Sequence, residues 1–142
     1  MPAIHTPVRV SLFLAALMFA SPAWSADPVH KEKVELSANQ ATHSIKGKIK
    51  GYATAEYTVA GKAGQTLTVK LATRQPSTYF NIRQAGQEEA LFTGSSSGNR
   101  FQAVLPADAE YTVQVYLMRN AARRNAAASY TLEMALGEAA AH

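Results

Sequence analysis

The chain has 142 residues, with 14 Lys and Arg against 10 Asp and Glu and no cysteine. Missing thiols exclude a disulfide framework, a thiolate metal site and a lipid-modified N-terminal cysteine. The small basic excess is a poor match for the dense basic stripe and stacking aromatics of a nucleic-acid binder.

Residues 1–26 have the layout of a secretory signal peptide. Arg9 supplies the positive charge, Val10 to Ala20 (VSLFLAALMFA) the apolar core, and Ser21 to Ala26 (SPAWSA) a small-residue exit. Eleven apolar residues are too few for a membrane-spanning helix, which needs about 20. Ala23 and Ser25 satisfy the small-residue rule for cleavage after Ser25, and Ala26 alone for cleavage after Ala26. Residues 27–142 then hold 13 basic and 10 acidic side chains, enough chain for one domain with one core. No later apolar run has spanning length, so no integral membrane association is expected and the exported protein should be soluble.

In chain order, Asp27 to Gln40 is polar and charged and reads as an arm or edge strand, with a short strand expected at Val34 to Ser37. Charges such as Lys31 and Lys33 suit an edge. HSIKGKIKGY follows, placing Ile45, Gly47 and Ile49 on one face and Lys46, Lys48 and Lys50 on the other, a strand with a wet, basic side. Ala55 to Ala60 and Gln65 to Thr73 alternate in the same way around GKAG at 61–64, and the pair is expected to form a hairpin. Tyr79 to Gln84 and Ala90 to Thr93 read as further strands, and GSSSGN at 94–99 as a flexible loop. Arg100 to Leu105 alternates again, and residues 137–142 read as a frayed tail.

In the stretch Leu105 to Leu136, Tyr111, Val113, Val115 and Leu117 share one face of a strand. Tyr130, Leu132, Met134 and Leu136 do the same in the next. Met118 to Ala128 joins them with eleven residues, more than the two to five of an ordinary hairpin, and carries three arginines. A short helical turn is expected within 120–128, with Asn120 as N-cap and Arg119 and Arg123 pointing the same way. The whole pattern predicts an all-β, single-domain antiparallel β-sandwich of about seven to nine short strands.

The sequence offers little for catalysis. His30 and His142 fall in segments expected to be loose, and His43 starts a strand. Glu88 and Glu89, adjacent in sequence, would face opposite ways in a strand instead of acting together on one bond. No enzyme, cofactor or metal site is expected. Binding is better supplied: Arg119, Arg123 and Arg124 carry planar forks suited to carboxylates, and Tyr52 follows a glycine that lets it reach the end of a sheet.

IKGY at 49–52, AEYTVAGKAGQTLTV, LPADAEYTVQVY and especially RNAARR at 119–124 followed by SYTLEM resemble the periplasmic inhibitors of goose-type lysozyme. The likeness runs from about Ser44 to Leu136. It implies a periplasmic β-sandwich that protects peptidoglycan by pushing loops into the cleft of a goose-type lysozyme. It also implies that Tyr52, Arg119 and Arg123 are the target-binding residues, with Asn120 and Arg124 in the same basic loop. Asp108 stands where relatives carry a small or hydroxyl residue, and a carboxylate there would pair with an arginine or repel the target's acids. EYTVQVY and SYTLEM also resemble the closing strands of sandwich domains attached to secreted peptidases, which implies the alternative of a non-catalytic carbohydrate- or cell-envelope-binding module.

Overall fold

The computed structural model describes residues 28–38 and 42–138. The expected signal peptide and the end of the tail lie outside the described residues. Nine strands and two short helices follow in order: β1 (Val29–Val34), β2 (His43–Lys50), β3 (Thr54–Gly61), β4 (Thr66–Thr73), β5 (Thr78–Gln84), β6 (Phe92–Thr93), α1 (Gly94–Ser97), β7 (Arg100–Val104), β8 (Ala109–Leu117), α2 (Arg119–Arg123) and β9 (Ala127–Gly137). They form a five-stranded sheet, β1-β3-β8-β5-β6, and a four-stranded sheet, β2-β9-β4-β7. The architecture is the expected mostly-β sandwich.

Side-chain alternation builds both layers. In β8 every second residue from Tyr111 to Leu117 is buried, and in β9 every second residue from Ala128 to Leu136. Register aligns these rows into ribs, with Ile45, Leu132 and Leu71 side by side across the four-stranded sheet. Tyr57, Val113 and Ile82 form the matching rib in the other. Each fully buried aliphatic side chain contributes about 1.5–3 kcal/mol relative to exposure.

Four expectations are corrected. First, β3 and β4 are not a hairpin, because they belong to different sheets. The GKAG turn is a corner: Gly64 donates to the Leu105 carbonyl at 3.0 Å and Leu105 to that of Gln65 at 2.7 Å, tying the turn to the β7–β8 connection. The apolar rows of β3 and β4 therefore meet through the core instead of side by side. Second, the edge strand lies at Val29–Val34, not Val34 to Ser37, and His30 sits within it. Val34 is its one buried side chain, and it closes the strand beside Val59. This strand runs parallel to β3, because the chain passes through β2 in the opposite sheet between them. Third, GSSSGN holds the helical turn α1. Gly94 is buried there, packed so closely on β5 that an added Cβ would collide with the Phe80 carbonyl. Fourth, the second helical turn begins at Arg119, with Met118 and not Asn120 at the N-cap position.

The two layers are joined by a hydrogen bond of 2.6 Å between the buried hydroxyls of Tyr57 in β3 and Tyr130 in β9. Gly47 pairs with Tyr130 in register, and a Cβ there would overlap the Tyr130 ring and hydroxyl. The inward glycine of β2 is thus the space that the Tyr130 ring fills. Tyr111 makes a second fixed point at the start of β8, where its hydroxyl donates to the Ala107 carbonyl four residues back, at 2.7 Å. That contact pins the turn entering β8, as a tyrosine corner does.

A bulky residue at position 47 should therefore destabilise the fold. Gly47→Val is expected to lower the unfolding free energy by about 1–3 kcal/mol through overpacking, read from the midpoint of urea denaturation at unchanged slope.

Burial raises both phenols above the ordinary value of 10.0, and the shared hydrogen bond raises Tyr130 further while it partly offsets the rise at Tyr57. Folded-state values above the unfolded ones mean that this stabilisation is complete below about pH 10 and is lost as pH rises beyond it. Alkaline titration of unfolding should show that decline. Tyr130→Phe should be less stable at neutral pH by about 1–3 kcal/mol, since Tyr57 loses its buried partner, yet should show a shallower alkaline slope.

Candidate functional site

At one end of the sandwich α2 crosses from β8 in one sheet to β9 in the other. Its sequence separates cleanly by face. Ala121 and Ala122 are buried, small enough to seat a helix directly on the core, while Arg119, Asn120, Arg123 and Arg124 are exposed. Exposure at i, i+1, i+4 and i+5 places the side chains of Arg119 and Arg123 on the solvent side, one turn apart. Asn120 accepts from the Ala121 amide at 2.8 Å, a local turn contact inside the helix.

The helix stops at Asn125. That residue has φ +57, in the left-handed region that Asn tolerates better than most side chains. The Ala126 amide donates to the Ala121 carbonyl at 3.1 Å and the Asn125 amide to that of Ala122 at 2.9 Å. These are the two bonds of a Schellman motif, which satisfies the last carbonyls and fixes the exit direction. At the other end the Met118 amide bonds to the Ser77 carbonyl at 2.9 Å. The eleven-residue connection is thus held at entry and exit.

The β2–β3 turn lies against this exit. Gly51 has φ +61, and its amide donates to the Ala126 carbonyl at 2.9 Å. The Ala53 amide closes the turn on the Lys50 carbonyl at 3.1 Å. An added Cβ at Gly51 would lie 2.8 Å from Asn125 Oδ1 and 3.7 Å from the Ala122 carbonyl. Glycine is needed here both for the backbone angle and for the close approach. Tyr52, next in the turn, is half exposed. The fold thereby brings the turn of Tyr52 against the connection that carries Arg119, Asn120, Arg123 and Arg124.

Asp108 is placed elsewhere. Its Oδ1 accepts from the Ala63 amide at 2.7 Å, clamping the GKAG corner to the turn before β8. That turn precedes the nine-residue β8 and α2 follows it, a separation of roughly 30 Å at about 3.3 Å per residue. Asp108 therefore pairs with none of the arginines and is not brought together with them. Ion pairs among the described residues join His30 to Glu32 and Lys33 to Glu110, and neither involves an arginine of the connection. The guanidiniums of Arg119, Arg123 and Arg124 have no carboxylate partner among the described residues.

Asn125 and the buried alanines went unread in the sequence as site-forming residues. The signal for Asn125 was present, since an Asn just past a short helical run commonly takes the left-handed cap. Its contact with Gly51, 74 positions away, has no local signature. Among the described residues no three His, Asp or Glu side chains gather as a metal site, and no helix is long and apolar enough to cross a membrane.

No protein-family model and no curated protein matches the chain. Solved structures do. An Aeromonas hydrophila protein described as PliG, a periplasmic lysozyme inhibitor of g-type lysozyme, is 34% identical with a TM-score of 0.67, covering 78% of this chain and 99% of that one. Salmonella Typhimurium PliG, described in the same words, is 23% identical with a TM-score of 0.61, covering 75% and 97%. The pre-peptidase C-terminal domain of a Bacillus anthracis collagenase has 17% identity and a TM-score of 0.53, covering 78% and 98%, which shows a common fold alone.

Fold and site together define a β-sandwich that presents a rigid, arginine-bearing loop at one end. With 34% identity across almost all of the Aeromonas protein, the chain belongs to the family of periplasmic inhibitors of g-type lysozyme. That family consists of inhibitors, and the chain is not an enzyme.

The Gly51–Asn125 contact generates a stability test. Gly51→Ala is expected to cost about 1–3 kcal/mol, and removing the amide in Gly51→Ala/Asn125→Ala should recover less than half, because the backbone angle stays unfavourable. Urea denaturation of the two single variants and the double variant measures that coupling.

Proposed function

We propose that the chain is a periplasmic, exported inhibitor of g-type lysozyme that protects peptidoglycan by occupying the enzyme's substrate cleft. In this reading Arg119 and Arg123 enter the cleft and contact its acidic side chains, while Tyr52 packs and hydrogen-bonds beside them. Asn120 supports the loop and Arg124 extends its positive charge. The observation that supports the reading is the contact of the Gly51–Tyr52 turn with the exit of α2, which joins the turn of an exposed aromatic to the connection that carries the arginines.

The chemistry is complementary. Glycoside hydrolases place acidic side chains around the scissile bond, and a guanidinium entering a desolvated cleft makes charge-assisted, bidentate hydrogen bonds to them. Because the loop is held before binding, little ordering entropy opposes association. Asp108 enters as a clamp in the fold, distant from the cleft, so its carboxylate neither repels the target's acids nor quenches the arginines.

Residual activity of a g-type lysozyme, titrated with wild-type protein and variants, tests this. Arg119→Ala and Arg123→Ala should each weaken inhibition by about 30-fold or more, corresponding to at least 2 kcal/mol for a buried charge partner. Asp108→Ala should inhibit as the wild type does and lose about 1 kcal/mol of stability with its turn contact. Equal potency of the wild type and both arginine variants would remove the arginines from the mechanism.

A further inference from the structure

The basic face of β2 is not used by the inhibitory end. Lys46, Lys48 and Lys50 point outward between the inward Ile45, Gly47 and Ile49, about 7 Å apart at two residues of strand rise. Thr131, Ser129 and Ala127 of β9 lie beside them in register, and Ala72 of β4 lies beside Thr131. The result is an open trough of about 1210 Å³ on the outer face of the four-stranded sheet, with a floor of small side chains. Lys46 and Lys48 line it on the β2 side and Arg74 on the β4 side, and no carboxylate lines it. None of these cations is in an ion pair with a described residue. Lysines on an edge strand discourage unwanted pairing, but that accounts for neither Arg74 across the trough nor the hydroxyl floor.

We propose that this trough is a second binding site, for an extended carboxylate-bearing glycan. The floor lies along β9, which is paired to β2 from Ala127 to Met134 and to β4 from Tyr130 onward. The lining offers no large apolar side chain to form a socket for the side chains of a peptide. Ser129, Thr131 and Gln75 instead offer hydroxyl and amide groups that match sugar hydroxyls, with cations on both sides for carboxylates. The one aromatic residue in the lining, Tyr130, has its ring in the core and its hydroxyl on Tyr57, so bases have no stacking platform. The trough stops short of Arg119 and Arg123, so the site stands independently of the inhibitory reading.

The test uses the exported chain, residues 27–142, without any lysozyme. Isothermal titration would be run with soluble glycan strands that carry peptide carboxylates, neutral chitooligosaccharides, polyglutamate, and anionic phospholipid vesicles. The expected result is salt-sensitive binding of the carboxylated strands alone. It should weaken at least about tenfold in Lys46→Glu/Lys48→Glu, the direction set by losing charge-assisted contacts, and stay unchanged in Arg119→Ala and Arg123→Ala. Both lysines are exposed, and an unchanged urea-denaturation midpoint of the double variant reports that it is folded. Absence of binding, equal binding by the double variant, or equal binding of polyglutamate or vesicles would overturn the proposal.

Discussion

The hydrogen bond between Tyr57 and Tyr130 is the constraint around which the sandwich is arranged. Two phenols reaching from opposite layers bury their hydroxyls against each other, where an unpaired group would cost about 1–3 kcal/mol. Their meeting fixes how far apart the layers sit and how one is placed over the other. It also dictates a neighbour without a side chain, since Gly47 lies where the Tyr130 ring must pass. Shifting β2 by one residue against β9 would set a lysine opposite Tyr130 and turn Ile45 and Ile49 to water, so the register has little freedom.

The α2 end of the sandwich is seated on that same core. Ala121 and Ala122 seat the helix, Asn125 ends it, and Gly51 lets the neighbouring turn close on it. Each of these residues is small or conformationally permissive, and each makes room for backbone-to-backbone contact. The large and charged side chains between them are thereby left outside. Arg119, Asn120, Arg123 and Arg124 face solvent because Ala121 and Ala122 do not, and this division of labour makes a loop of moderate length behave as a fixed surface.

Much of the layering was legible from alternation. Leu67, Val69 and Leu71 in β4, Tyr111 to Leu117 in β8, and Tyr130 to Leu136 in β9 all face inward as their period of two requires. Alternation records which face is buried but is silent on which strand lies alongside. That is why GKAG reads as a hairpin turn although it is a corner between sheets, and why the parallel partner of β1 could not be seen. The N-terminal edge was misplaced because a single buried residue, Val34, carries no period. At the site, the spacing of Arg119 and Arg123 was legible, whereas the approach of Gly51 to Asn125 depends on β2 and β9 being neighbours. Asp108 was the reverse case: nine strand residues separate it from the arginines, so its distance was written in the sequence even though its clamp on Ala63 was not.

The connection bearing the arginines starts in one sheet and ends in the other. A hairpin loop would ride with a single sheet and be indifferent to the other, but this one spans the seam. Any sliding or parting of the layers would change the distance between its two anchors, so its shape reports the alignment of the whole body. Side-chain changes deep in the core, far from any contact with a target, can thus alter recognition by retuning that alignment, and a well-bound partner would in turn act as a brace across the seam.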